Sequence, residues 1–336
     1  VSKWCGKAGG WHNADRCDAG TGRSLRRGYL ETKEDVDLGP MRQRWVLLAA
    51  LIAIGAAWGM TQPMAKVAVS EGYQHFGLIF WQMVIGAVLL GTVTWMRGAW
   101  FKLTRSRLAF LTMIALIGTV LPNSASYQAA AHLPSGVMSI VLSLVPMLAF
   151  PIALVLGLER FSGVRLIGLS LGLVGVALIA LPKASLPDPA MVGWVMVALV
   201  APIFYASEGN IVSKWGTHGL DAVQVLFGAS SIGAVLALFL TLATGQWIDP
   251  RPPYGAPDGG LVASAVLHAF AYTGYVWLVG RAGAVFAVQV SYLVTGFGIV
   301  WAILLLSEAY SPYIWAALGL MFTGLFLVQP RKYERS

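Results

Sequence analysis

Residues 135–182 read SGVMSIVLSLVPMLAFPIALVLGLERFSGVRLIGLSLGLVGVALIALP, and this stretch decides the fold. Two apolar runs, 137–158 and 166–181, flank a short polar knot from Glu159 to Arg165. A helix needs about 20 apolar residues to cross a hydrocarbon core of about 30 Å. The second run is shorter and carries Gly168, Gly172 and Gly175, which suits close helix packing in lipid.

The same design returns at residues 283–330, GAVFAVQVSYLVTGFGIVWAILLLSEAYSPYIWAALGLMFTGLFLVQP. A spanning run ends in a lone acid, Glu308, where the first copy has Glu159. Gly324 follows Glu308 by 16 residues, as Gly175 follows Glu159, and Pro182 and Pro330 close the two copies. A repeat on this scale implies two halves of one membrane protein.

Glycine-rich helices joined through Gly157-Leu158-Glu159-Arg160, with the design repeated once, resemble the EamA-type domain of the drug/metabolite transporter superfamily. Trp58-Gly59 followed by Lys66 is similar to that family's opening, and the resemblance covers residues 45–330. It implies export of a small metabolite, an amino acid or a drug-like compound. It also implies that Glu159 and Glu308 are the family's recurrent acidic residue. Three positions depart from the pattern. Gln82 stands where relatives often place Arg, Glu208 lies in a helix the family keeps mostly apolar, and the ninth run has no counterpart of Pro146.

Composition agrees without the resemblance. Of 336 residues, 57% are hydrophobic and 11% charged, against about 25% charged in a soluble domain. An ordinary soluble enzyme is thereby excluded. The net charge is +8, and beyond the N-terminal tail the basic residues sit mostly in loops between apolar runs, which points to membrane orientation and not to nucleic acid. Residues 1–44 are a polar tail expected to be disordered and cytoplasmic. Cys5, His12 and Cys17 there match no common zinc spacing, and Met41 is a candidate start. No cofactor or metal is expected.

Ten apolar runs follow, at 45–67, 76–96, 108–129, 136–158, 166–181, 191–213, 221–244, 261–280, 284–306 and 312–329. All read as helices, since barrel strands are shorter and alternate. The predicted fold is an all-α membrane protein of ten transmembrane helices in two inverted five-helix repeats, 45–182 and 191–330, with a short tail at 331–336. With the N-terminus inside, inner loops carry eleven Lys and Arg (97, 102, 105, 107, 160, 165, 214, 281, 331, 332, 335) and outer loops two, Lys183 and Arg251. Both termini are therefore expected on the cytoplasmic side of the inner (plasma) membrane. Five helices per repeat is odd, so the second repeat enters the bilayer the other way up, a plan of secondary transporters.

Polar residues in spanning helices are costly and face the bundle interior or a wet cavity. On that ground the candidate substrate cavity comprises Trp58, Gln62, Asn123, Tyr127, Ser139, Ser143, Tyr205, Glu208, His268, Tyr272, Gln289 and Tyr292. Trp58, Gln62 and Lys66 fall at steps of four on one helix face, interrupted by Gly59 and Pro63. Lys66 lies about 30 Å along its helix, which favours snorkelling to the outer interface. The serines also read as packing contacts or bonds back to carbonyls. Glu208 lies about 8 Å from the inner end. It reads either as a proton carrier or cation partner, or as an interfacial acid paired with Lys214 or Arg281. His268 is the second proton-coupling candidate. Glu159 and Glu308, each between two helices, read as structural markers that favour a positive helix N-terminus, with Gly175 and Gly324 marking the same repeat.

The expected function is a secondary transporter, an exporter with no ATP site, that works by alternating access with a small-molecule substrate and lipid as its partners. An importer of the same fold is the alternative. A non-transporting scaffold or sensor would need a soluble output module, and a membrane enzyme a cluster of His, Asp, Glu or Cys that the chain does not present. A homodimer is left open.

Overall fold

The computed structural model describes residues 40–328. Residues 1–39, with Cys5, His12 and Cys17, and residues 329–336 lie outside it. The described residues form helices and no strand.

Among the described residues eight helices are long and apolar enough to cross a membrane, and two shorter apolar helices complete the set. In chain order they are α1 (Arg44–Val69), α2 (His75–Met96), α3 (Arg105–His132), α4 (Ser135–Val155), α5 (Gly163–Ala180), α6 (Pro189–Trp215), α7 (Ala222–Thr244), α8 (Ala256–Ala282), α9 (Val290–Leu306) and α10 (Pro312–Val328). Local chemistry sets several ends. Thr104 and Ser162 accept from the Arg107 and Arg165 amides at the starts of α3 and α5. Asp221 and Gln224 form a reciprocal capping box on α7, whose far end is closed by Gly245 in the left-handed region. Such caps contribute about 1 kcal/mol each.

The packing carries a two-fold relation between the repeats. α2 packs on α7, α4 on α9 and α5 on α10, each helix meeting its own counterpart. Three further contacts exchange in pairs: α1–α8 with α6–α3, α1–α9 with α6–α4, and α2–α8 with α7–α3. With five spans per repeat, equivalent helices cross a bilayer in opposite directions. α1 is packed more extensively on α8 and α9 than α6 is on α3 and α4.

Glycines allow the closest approaches. A Cβ on Gly168 would lie 2.7 Å from the Gly324 carbonyl oxygen, and one on Gly324 would lie 2.6 Å from that of Gly168. α5 and α10 thus meet backbone to backbone. The buried core is centred on α4, with Val137, Met138, Ile140, Leu144 and Met147 almost fully enclosed. Large apolar side chains such as Val155, Leu181, Phe239 and Phe326 point outward, as lipid-facing residues do.

The counterparts α4 and α9 are both interrupted, as is α6 at Leu199. α4 turns at Ser143 and Leu144, because Pro146 has no N–H to continue the ladder. The Ser143 hydroxyl donates to the Ile140 carbonyl there, at 2.7 Å. α9 is preceded by a four-residue helix, Ala284–Ala287, and a turn at 288–289. The counterparts therefore bend at different heights.

Candidate functional site

The site begins with an irregularity in α3. Residues 116–120 adopt a π-helical turn in which the Leu121 N–H donates to the Leu116 carbonyl. Pro122 follows at once and cannot supply an α-helical N–H. Wide turns of this kind relieve such a break and recur at functional sites. Gly118, within the turn, presents no side chain to α6, and the Glu208 carboxylate fills the space. A Cβ at Gly118 would fall 2.6 Å from Oε1 and 2.7 Å from Oε2 of Glu208.

Among the described residues Glu208 makes no hydrogen bond or ion pair. Lys214, a sequence-level candidate partner, instead donates to the Leu156 carbonyl at 2.9 Å. Lys66 likewise serves backbone. Its Nζ donates to the carbonyls of Ala130 and Ala131, at 2.7 and 3.2 Å, at the end of α3.

Beside Glu208 runs a polar chain across three helices. The Tyr205 hydroxyl donates to Asn123 Oδ1 at 2.5 Å. Asn123 Nδ2 donates to Gln82 Oε1 at 3.0 Å, and the Tyr127 hydroxyl donates to the same oxygen at 2.9 Å. Ser264 on α8 lies near the Tyr127 hydroxyl. Gln82 Oε1 is saturated, while its Nε2 donates to no described residue.

An aromatic cluster faces this chain from α1 and α8. The Trp58 ring meets His268 at 5.9 Å, Tyr272 at 6.4 Å and Tyr275 at 6.0 Å, all in edge-on arrangements. Tyr272 and Tyr205 both lie within electrostatic reach of Glu208. One region therefore gathers an unpaired acid, neutral hydrogen-bonding groups and aromatic rings from α1, α2, α3, α6 and α8.

The structure thus brings Trp58, Asn123, Tyr127, Tyr205, Glu208, His268 and Tyr272 into one neighbourhood. Among the described residues Gln62 bonds only within its own helix, to Thr61 at 3.5 Å. Ser139 donates to the Ser135 carbonyl and fills the space above Gly298, as Ser143 bonds to Ile140. Gln289 lies on the turn before α9. The Tyr292 ring packs 6.0 Å from Phe322, and its buried hydroxyl has no hydrogen-bond partner among the described residues. Gln82, Ser264, Tyr275 and Gly118 join the neighbourhood from outside the candidate set. Ser264 had a signal, since 264, 268, 272 and 275 share one helical face. Gly118 had none.

At the opposite end from Glu159, Glu308 closes the bundle. Its carboxylate accepts from the Ser135 and Gly136 amides at 2.7 and 3.2 Å, at the start of α4, and from the Tyr310 hydroxyl at 2.5 Å. Burial, and then this bond to Glu308, raises the Tyr310 phenol well above the ordinary tyrosine range.

A sequence profile of the EamA-like transporter family matches residues 43–181 and 192–329, one match per repeat. A protein of Streptantibioticus cattleyicolor, described as a probable terminal-alkyne amino-acid exporter, is 24% identical over 296 residues, spanning 85% of this chain and 94% of its own. A solved crystal structure superposes with a TM-score of 0.59 at 16% identity, covering 85% of this chain and 97% of its own, a likeness of fold.

Proposed function

The chain belongs to the EamA-like transporter family, and we propose that it exports a small amine-bearing metabolite across the cell's inner membrane by proton-coupled alternating access. The observation that carries this reading is the unpaired Glu208 carboxylate packed on Gly118 beside the Tyr205–Asn123–Gln82–Tyr127 chain. A charge without a partner in a membrane helix is costly and marks a ligand or proton path. A proton or a substrate ammonium relieves that cost, and the two compete for one carboxylate. Proton arrival from outside then drives amine release, and proton loss inside restores the site.

The other groups fit the same ligand. Trp58, Tyr272 and Tyr275 offer faces to an apolar body or a cation. Gln82 Nε2 and His268 supply hydrogen bonds to a polar group. The two repeats would rock about this site, with both termini cytoplasmic as the eleven-to-two loop bias indicates. The exporter name of the Streptantibioticus cattleyicolor relative supports the direction and an amine-bearing substrate.

The test is extrusion of a panel of amines and amino acids by cells with and without the protein, at two external pH values. Extrusion of one class that strengthens as external pH falls supports the reading. Net accumulation inside makes the protein an importer. Unchanged transport and pH response in Glu208→Gln removes Glu208 from the mechanism.

A further inference from the structure

A second polar feature lies at the end of the bundle opposite Glu308. A cavity of about 290 Å³ opens between α4, α5, α6, α9 and α10, with Glu159 and Arg165 in its wall. Arg165 Nη1 donates to Glu159 Oε2 at 2.9 Å, and the guanidinium lies 5.6 Å from the centre of the Phe150 ring. The Arg165 side chain is only 15% exposed. Asn210 and Ser291 add neutral polar groups, while Phe150, Ala153, Leu158 and Val288 form apolar wall.

The fold does not require this ion pair. Glu159 and Glu308 are equivalent across the repeat, as are Gly175 and Gly324, so the counterpart of Arg165 is Ile314, a buried apolar residue. A cation in the first turn of α5 also opposes the positive end of the helix dipole. Glu308 spends its carboxylate on the start of α4 and seals its end. Glu159 is held by Arg165 instead, and its end stays open.

We propose that the Glu159–Arg165 cavity is a loading site for a small zwitterion with an apolar side chain, an α-amino acid in chemical class. An anion alone would have to take Arg165 from Glu159 and strand the acid, and a cation would strand Arg165. A zwitterion exchanges one ion pair for two, ammonium on Glu159 and carboxylate on Arg165, with no charge left over. Its side chain lies along the Phe150 and Val288 wall. The inference rests on the transport reading and adds the site from which the substrate reaches Glu208.

The experiment measures binding to the purified full chain in nanodiscs, with L-leucine, L-alanine, leucinamide and 4-methylpentanoate as probes. One of the two amino acids binds, and leucinamide and 4-methylpentanoate bind about tenfold more weakly or worse. Glu159→Gln and Arg165→Gln each weaken amino-acid binding by about tenfold, and the exchanged pair Glu159→Arg with Arg165→Glu recovers part of it. Binding of neither amino acid, or equal binding of the singly charged analogues to wild-type protein, overturns the proposal whether or not the variants fold. The transport reading fails separately. Vesicles that retain this binding yet move no labelled amino acid contradict transport and leave the site standing.

Discussion

The absence of a side chain at residue 118 gives Glu208 its place. An added methyl would lie 2.6 Å from a carboxylate oxygen, so Gly118→Ala must move the carboxyl group while α3 and α6 keep their packing. Transport is expected to fall by about tenfold or more with thermal stability near wild type, and Gly118→Ala with Glu208→Gln should lose little more than Glu208→Gln alone. Flux and melting of the three variants check this. Away from the membrane, Tyr73 donates to Asp258 at 2.8 Å, tying the α1–α2 loop to the start of α8. Desolvation, and next the bond to Asp258, pushes the Tyr73 phenol up to about 12 from its ordinary 10. Its neutral form is favoured by folding, so this contribution is complete below about pH 10 and is lost as pH rises through about 12. Tyr73→Phe should flatten that part of the alkaline melting profile. Much of the site was legible at this scale. Helical spacing joined Asn123 to Tyr127 and His268 to Tyr272, and cost in lipid singled out Glu208. Gln82 was readable only as a departure, because its role as a shared acceptor depends on α2 lying beside α3. Gly118 was silent, since a glycine's neighbour is a tertiary fact.

At the scale of the helix, α5 and α10 depend on glycine at their crossing. The Gly168 and Gly324 backbones are too close for a side chain, and each would meet a carbonyl oxygen that cannot swing aside. Gly324→Val is expected to cost about 1–3 kcal/mol and to lower the melting temperature in detergent, whereas the same change at Gly319, which has open space around it, should be mild. The spans themselves were readable from length and hydropathy, and Pro146 foretold the break in α4. The turn at 288–289 was not foretold, because no proline or glycine marks it, and the π-helical turn at 116–120 arises from accommodation between Pro122 and α6.

Across the whole molecule, a two-fold arrangement of helices carries unequal ends. Glu308 joins the second repeat to the start of α4, while Glu159 pairs within its own repeat beside an open cavity. Glu308→Gln weakens the link between repeats, and a cysteine placed at Ser135 should then react faster with a membrane-impermeant thiol reagent added from the Glu308 side. An unchanged rate would mean that Tyr310 and packing alone hold that end. The inverted repeat was legible because its markers are one-dimensional, two acids and two glycines at matched spacing. The inequality of the ends was not, because it depends on which partner each acid finds. The central claim is that this chain moves an amine-bearing solute against protons at Glu208. The most direct measurement is flux of labelled amino acid in proteoliposomes under an imposed pH gradient, wild type beside Glu208→Gln. The account predicts gradient-driven movement by wild type and its loss in Glu208→Gln. Movement no greater than in protein-free liposomes, or an equal gradient response from both proteins, would contradict it.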